Sequence, residues 1–185
     1  ASIIPNSNLT LKNVGVNKTR TGIIDVLLNM GADIKVVNER MSGKEPMADL
    51  IVKSAKLKGT SFGAEIMPRL IDEIPVIAVA AMFAEGKTII TGAEELRVKE
   101  TDRLSAVVNE FSKMGGNIVG TEDGLIIEGT GKLNNAKCYS YHDHRIAMAL
   151  AVAGAAAEGV NIENPDCVCI SYPTFYQTLE KIKCN

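Results

Sequence analysis

Residues 88–119 read TIITGAEELRVKETDRLSAVVNEFSKMGGNIV, and the stretch decides the fold because it runs strand, charged loop, helix, strand. Thr88-Ile89-Ile90 is a β-prone run. Leu104, Val107, Val108 and Phe111 then recur at i, i+3, i+4 and i+7, the spacing of one face of an amphipathic helix. That helix ends at Met114-Gly115-Gly116, ahead of a strand at Ile118-Val119. Between the first strand and the helix stands Arg97-Val98-Lys99-Glu100-Thr101-Asp102-Arg103, three cations and two carboxylates in seven residues.

The same order occurs in two other places. Leu9-Thr10-Leu11 leads through Asn17–Gly22 into a helix bearing Ile24, Leu27 and Leu28, which ends at Met30-Gly31-Ala32 before a strand at Ile34–Val37. Val160-Asn161-Ile162 leads through Ser171-Tyr172-Pro173 into a helix carrying Phe175, Leu179 and Ile182, and the chain reaches Asn185 without the strand expected next. Ahead of the second and third copies lie runs that are apolar nearly all round, Ile74–Ala84 and Arg145–Ala157, each closed by Glu-Gly. Helices of this kind are buried in a core. By register, the matching helix of the first copy would already be ending at Ala1–Pro5, so an N-terminal truncation is expected.

Three α/β units, approximately 1–70, 71–137 and 138–185, each giving one buried helix, predict a single pseudo-threefold α/β domain with helices inside and amphipathic helices and sheet outside. Additional strands are expected at Ala64–Ile66 and Gly124–Glu128. Lys53–Lys58 alternates charged with apolar residues and reads as an exposed strand with solvated charges.

The charged heptapeptide matters because the first N–H groups of a helix lack partners and carry partial positive charge, so a helix start attracts phosphates and carboxylates. Lys99 and Arg103 would strengthen that attraction. The plainer reading is a surface pair of Glu100 and Arg103 worth about 0.3–0.5 kcal/mol. Two further segments favour the anion site: Asp143-His144-Arg145 precedes the apolar run Ile146–Ala153, and Asp72 precedes Ile74–Ala84.

Composition excludes several classes. With 46% hydrophobic and 23% charged residues in 185, the chain can build a core. A net charge of −2 and 4% aromatic content give nucleic acid neither a basic stripe nor stacking platforms. Cys138, Cys167, Cys169 and Cys184 lack the paired spacing of a zinc site and read as reduced structural thiols. The apolar helices span about a dozen residues against the ~20 that cross a bilayer, and no basic-then-apolar leader is present, so a cytoplasmic or plastid-stromal protein is expected.

With these motifs in hand, the chain resembles the 5-enolpyruvylshikimate-3-phosphate synthase family, through LRVKETDRLSAVVNEF (96–111) and HDHRIAMALAVAGAAAEG (142–159), with NVGVNKTRTGIIDVLLNMGADI (13–34) and LIDEIPVIAVAAMFAEG (70–86) as further family-like segments. The resemblance implies the C-terminal domain of a two-domain enzyme, an inside-out α/β barrel with buried parallel helices, whose missing N-terminal domain would be its partner. It implies transfer of the enolpyruvyl group of phosphoenolpyruvate to the 5-hydroxyl of shikimate 3-phosphate, with no metal or organic cofactor. It also implies roles for Asp72 (ring hydroxyls, base), Lys99 (proton shuttle), Glu100 (proton exchange at the methylene carbon), Arg103 and Arg145 (phosphoenolpyruvate clamp) and His144 (phosphate).

Simpler readings stand beside these. Asp72 and Asp143 could each cap a helix, the role the sequence favours for Asp143, and Asp102 in a first turn could do the same. His142 has no matched role and reads as a surface or supporting residue. Lys18 and Arg20 occupy in the first unit the place of Lys99 and Arg103 in the second, and only repeat symmetry offers them an anion role. Two departures from the resemblance are Ile170, close to Tyr172-Pro173 where many relatives carry lysine, and Glu95, where others place asparagine. Rival functions are a related enolpyruvyl transferase acting on a UDP-linked amino sugar, and a folded half-domain that binds anions weakly without turnover.

Overall fold

The computed structural model describes residues 1–183; Cys184 and Asn185, the chain end beyond which the third unit's closing strand is expected, lie outside the described residues. The first unit comprises β1 (Asn8–Gly15), α1 (Gly22–Asn29), β2 (Asp33–Ser42) and β3 (Glu45–Lys53). The second comprises β4 (Ser61–Phe62), α2 (Ile74–Met82), β5 (Gly86–Ile90), α3 (Arg103–Lys113), β6 (Asn117–Gly120) and β7 (Leu125–Gly129). The third holds β8 (Lys137–Tyr139), α4 (His144–Ala156), β9 (Asn161–Glu163) and α5 (Phe175–Ile182).

The first two units share one topology. Each runs strand, helix, hairpin, and the last strand of the hairpin inserts between the other two, giving the orders β1-β3-β2 and β5-β7-β6. In the second unit β4 lies parallel to β5 across α2, and in the third β8 lies parallel to β9 across α4. A parallel pair needs a crossover connection, and here the crossovers are the apolar helices. All of α2 except Val76 is buried, as are Ile146, Ala147, Ala149, Leu150, Ala151 and Ala153 of α4, and the two helices pack against each other. α3 buries Leu104, Val107 and Phe111 as its periodicity predicts. The inner helices and the outer helix α3 are therefore as expected, but α1 turns Gly22, Ile23, Val26 and Leu27 to the core and leaves Leu28 of the expected face exposed, while α5 buries none of its residues and exposes Ile182.

Two strand expectations need correction. Ala64–Ile66 is not a strand: the Glu65 carboxylate accepts a hydrogen bond from the Gly63 N–H at 3.1 Å and closes a turn, leaving only Ser61–Phe62 extended in the sheet. Lys53–Lys58 is not an exposed strand either. Lys53 ends β3, Leu57 is buried, and Lys58 makes an isolated bridge to Glu85. The strand of that region is β3, the centre of its sheet, which buries Ala48, Leu50 and Val52 on one face. At its side the β1 and β2 ladders bulge at Asn13 and Asn38, both left-handed. The Asn13 N–H, then the Asn38 and Arg40 side chains, bind Asp49 and hold its carboxyl down at about 2. No helix among the described residues is long and apolar enough to cross a membrane.

Candidate active site

Not every charge of the heptapeptide faces outward. Arg97 donates to the Glu122 carbonyl at 2.9 Å, the Thr121 carbonyl at 2.6 Å and the Asp102 carboxylate at 2.9 Å, bracing the loop before α3. Asp102 caps α3, accepting from the Ser105 N–H at 3.0 Å and its hydroxyl at 2.7 Å. Burial works against its ionisation, but Ser105 and Arg97 together hold its carboxyl below the usual aspartate range. The capping reading of Asp102 is thus the observed one.

Arg103 opens α3 and points inward, with its side chain only 1% exposed. Its Nε donates to Asp143 Oδ2 at 2.7 Å, Nη1 to Asp72 Oδ1 at 3.1 Å and Nη2 to Glu100 Oε2 at 2.5 Å. The Glu100–Arg103 pair is real, but it is not the surface pair that three-residue spacing suggests, because the guanidinium has left solvent. Asp143 is fully buried, while Asp72 and Glu100 are 40% and 51% exposed. One guanidinium thus joins a buried anchor to two carboxylates at the mouth.

Asp143 does two things at once. Its Oδ1 accepts from the N–H groups of Arg145 at 2.8 Å and Ile146 at 3.4 Å, capping α4, and its Oδ2 takes Arg103. Asp72, by contrast, caps nothing. It sits in a short turn ahead of α2, whose start has no side-chain cap. Its carboxylate instead meets Arg103 and, at 3.3 Å, Arg145 Nη2, while its carbonyl accepts from Arg145 Nη1 at 3.2 Å.

Residues 141 and 142 precede the cap, and both have φ of 56°, an uncommon conformation for side-chain-bearing residues. They are held there by bonds on several sides. The Tyr141 hydroxyl donates to Glu110 at 2.7 Å, the Asp143 N–H to the Ser140 carbonyl at 2.9 Å, and the Ser140 hydroxyl to the Asn164 carbonyl at 3.0 Å. His142 is exposed and packs edge-on against Tyr139, in keeping with a supporting residue. His144, half-buried, is the first residue of α4, beside Arg145.

Lys99 precedes Glu100 in the chain and pairs with Glu95 at 2.9 Å, so Glu95 meets a cation of its own chain. Ile170 is 76% exposed in a short turn packed on α4 and brings no charge. Sequence reasoning missed Glu73, whose carboxylate lies 3.8 Å from Arg145. Burial pushes its carboxyl above the usual glutamate range, with Arg145 opposing and Asp72 reinforcing. Its position beside Asp72 was the one available signal. Sequence reasoning also gave little to Arg20, which lines the same cleft of about 370 Å³ as Asp72, Glu73 and Arg145.

The starts of α3 and α4 and the turn ahead of α2 therefore meet through one ion-pair network. It offers the guanidinium forks of Arg103 and Arg145 for anions, with two half-exposed carboxylates able to exchange protons beside them.

Comparison with known proteins places this geometry in context. A family model described as EPSP synthase (3-phosphoshikimate 1-carboxyvinyltransferase) matches residues 1–179. The 3-phosphoshikimate 1-carboxyvinyltransferase of Thermoanaerobacter sp. (strain X514) is 57% identical over 183 residues, covering 98% of this chain and 43% of the relative. That of Petrotoga mobilis is 52% identical over 185 residues, covering 99% and 43%. The solved EPSP synthase of Acinetobacter baumannii superposes with a TM-score of 0.95 at 42% identity, over 98% of this chain and 43% of that one. The enolpyruvyl transferase NikO of Streptomyces tendae, at 18% identity and a TM-score of 0.73, shares the fold over 98% of this chain and 40% of its own. The chain spans about two fifths of the length of the curated relatives it matches.

Proposed function

The chain belongs to the EPSP synthase family, and from that premise we propose that it is the C-terminal part of an enzyme that transfers the enolpyruvyl group of phosphoenolpyruvate to the 5-hydroxyl of shikimate 3-phosphate. The observation that carries this reading is Arg103, a buried guanidinium shared by Asp143, Asp72 and Glu100. Asp143 fixes the fork from behind. The two mouth carboxylates hold the N–H positions that a donor carboxylate or phosphate would take over, releasing Asp72 and Glu100 for proton transfer.

Asp72, near the ring hydroxyls, then takes the proton of the attacking hydroxyl, with Lys99 as shuttle. The hydroxyl oxygen bonds to the enol carbon of the donor while Glu100 delivers a proton to the methylene carbon. Loss of phosphate from the tetrahedral intermediate, with return of a proton from the methyl group to Glu100, restores the enol ether. Arg103 and Arg145 hold the donor, since a planar guanidinium makes paired hydrogen bonds that an ammonium cannot. His144 assists at the departing phosphate. Fixed cations aimed where negative charge develops need no reorganisation during the step.

In this reading residues 1–185 are one C-terminal domain of three units, the second beginning with β4 rather than near residue 71, and an N-terminal domain supplies the other wall of the cleft. The enzyme would work in the cytoplasm, or in the plastid stroma of a plant. The test combines this chain with a separately made N-terminal half, adds both substrates and follows phosphate release. Release dependent on both halves and both substrates is expected. A folded mixture that ignores shikimate 3-phosphate but accepts a UDP-linked amino sugar would overturn the assignment, and one silent with both acceptors would leave only anion binding.

A further inference from the structure

The first unit places one more cation at the mouth. Arg20 is exposed, makes no ion pair among the described residues, and lines the cleft that also holds Asp72, Glu73 and Arg145. Its loop is held in place. The Arg20 N–H donates to the Asn17 carbonyl at 2.9 Å, and Asn17 Oδ1 accepts from the Thr19 N–H at 3.1 Å, closing a turn. Asn17 Nδ2 ties that turn to Glu45 at 3.0 Å. From the second unit, Arg69 donates through Nε to the Lys18 carbonyl at 2.5 Å and through Nη2 to the Thr21 hydroxyl at 3.3 Å, and it pairs with Asp25 at 2.7 Å.

Arg69 stands three residues before Asp72, so the brace couples the Arg20 loop to the Asp72 turn. Arg145, across the cleft, is already engaged by Asp72 and Glu73. An anion entering here meets one guanidinium whose partners must be displaced and another that is free.

We propose that Arg20 is a further donor-binding residue, which with Arg145 receives the phosphate of the three-carbon donor in the cleft lined by Asp72 and Glu73. The assignment of the donor rests on the function proposed above; the anion site itself does not. Arg20 takes up the charge of the phosphate while Arg145 exchanges Glu73 for it, and Arg69, which also lines the cleft but is tied to the Lys18 carbonyl, the Thr21 hydroxyl and Asp25, sets the reach of the loop.

The experiment uses the full-length enzyme carrying this chain, as wild type, Arg20→Gln and Arg20→Lys. Two readouts are taken: steady-state kinetics with both substrates, and calorimetric titration with inorganic phosphate alone. Arg20→Gln is expected to raise KM for phosphoenolpyruvate and to weaken phosphate binding by about five- to tenfold, with kcat and KM for shikimate 3-phosphate within about twofold, and Arg20→Lys should fall between the two. Titration with pyruvate, which has the carboxylate but no phosphate, should give the same weak response in all three proteins. Equal phosphate affinity in wild type and Arg20→Gln, or a change confined to KM for shikimate 3-phosphate, would overturn the proposal. If the wild type does not turn over shikimate 3-phosphate yet loses phosphate binding on Arg20→Gln, the functional reading fails and the Arg20 anion site stands.

Discussion

A guanidinium removed from water is tolerated only where acceptors replace its hydration, and Arg103 has three carboxylates around it. Asp143 is the partner that matters for folding, because it alone is fully buried. Asp143→Asn keeps a good helix cap but removes the opposing charge, and should lower unfolding stability by about 3 kcal/mol in urea titration. Asp143→Ala should cost about 1 kcal/mol more, since it also loses the cap. An unchanged midpoint for Asp143→Asn would mean that Asp72 and Glu100 alone balance the charge. Glu100 is the opposite case, half exposed and bonded only from one side. Glu100→Gln in the full-length enzyme should reduce kcat by about a hundredfold or more while changing KM for phosphoenolpyruvate far less, as expected for a group that moves a proton rather than one that binds. Unchanged turnover would remove Glu100 from the mechanism.

Among the elements, α3 is tied to the third unit by Glu110, which is fully buried and accepts from Lys113 at 2.7 Å, the Tyr139 N–H at 2.9 Å and the Tyr141 hydroxyl at 2.7 Å. Burial alone would raise its carboxyl, but Lys113 and the two tyrosine contacts together hold it below the usual glutamate range. A depressed folded value means that Glu110 adds stability above its unfolded pKa, and that this contribution disappears as pH falls through the folded value. Glu110→Gln should therefore be less stable than wild type near neutrality, and the difference should shrink as chemical denaturation is repeated downward from about pH 5. A difference independent of pH would show that the charge is not what ties α3 to the third unit. Gly154 serves the same unit differently. In mid-helix it lowers helix propensity, but a Cβ there would lie 2.3 Å from the Val160 side chain, so its absence lets the chain leading into β9 cross α4 closely.

The helices were legible because their apolar spacing is set by local geometry. β3 was not, since Pro46, Ala48 and Asp49 are weak strand formers even though Ala48, Leu50 and Val52 alternate on its buried face, and Asp49 owes its place to Asn13 and Asn38 on the flanking strands. β8 has three residues, too few for a pattern.

Over the whole molecule, the mouth assembles contacts between residues 31, 40 and 73 positions apart in the chain. Three charged segments ahead of apolar helices were readable in the sequence, and the family motif named Asp72, Lys99, Glu100, Arg103, His144 and Arg145 among them. The sequence pointed to capping for Asp143 and allowed it for Asp102, as observed, but could not reveal the bracing by Arg97 or the grip of Asp143 on Arg103. Arg97 looks like Lys99 in composition, and the packing of α3 against α4 separates the bracing groups from those left at the mouth. Glu73 and Arg20 belong to the site because separate units deliver them to one cleft, a long-range consequence of the repeat. The most direct measurement is a crystal structure of the full-length enzyme with phosphoenolpyruvate and shikimate 3-phosphate bound. The predicted result is donor anions in contact with Arg103 and Arg145, with Asp72, Lys99 and Glu100 within hydrogen-bond reach of the reacting atoms; substrates seated on another face, with the Arg103 network closed and solvent-facing, would contradict it.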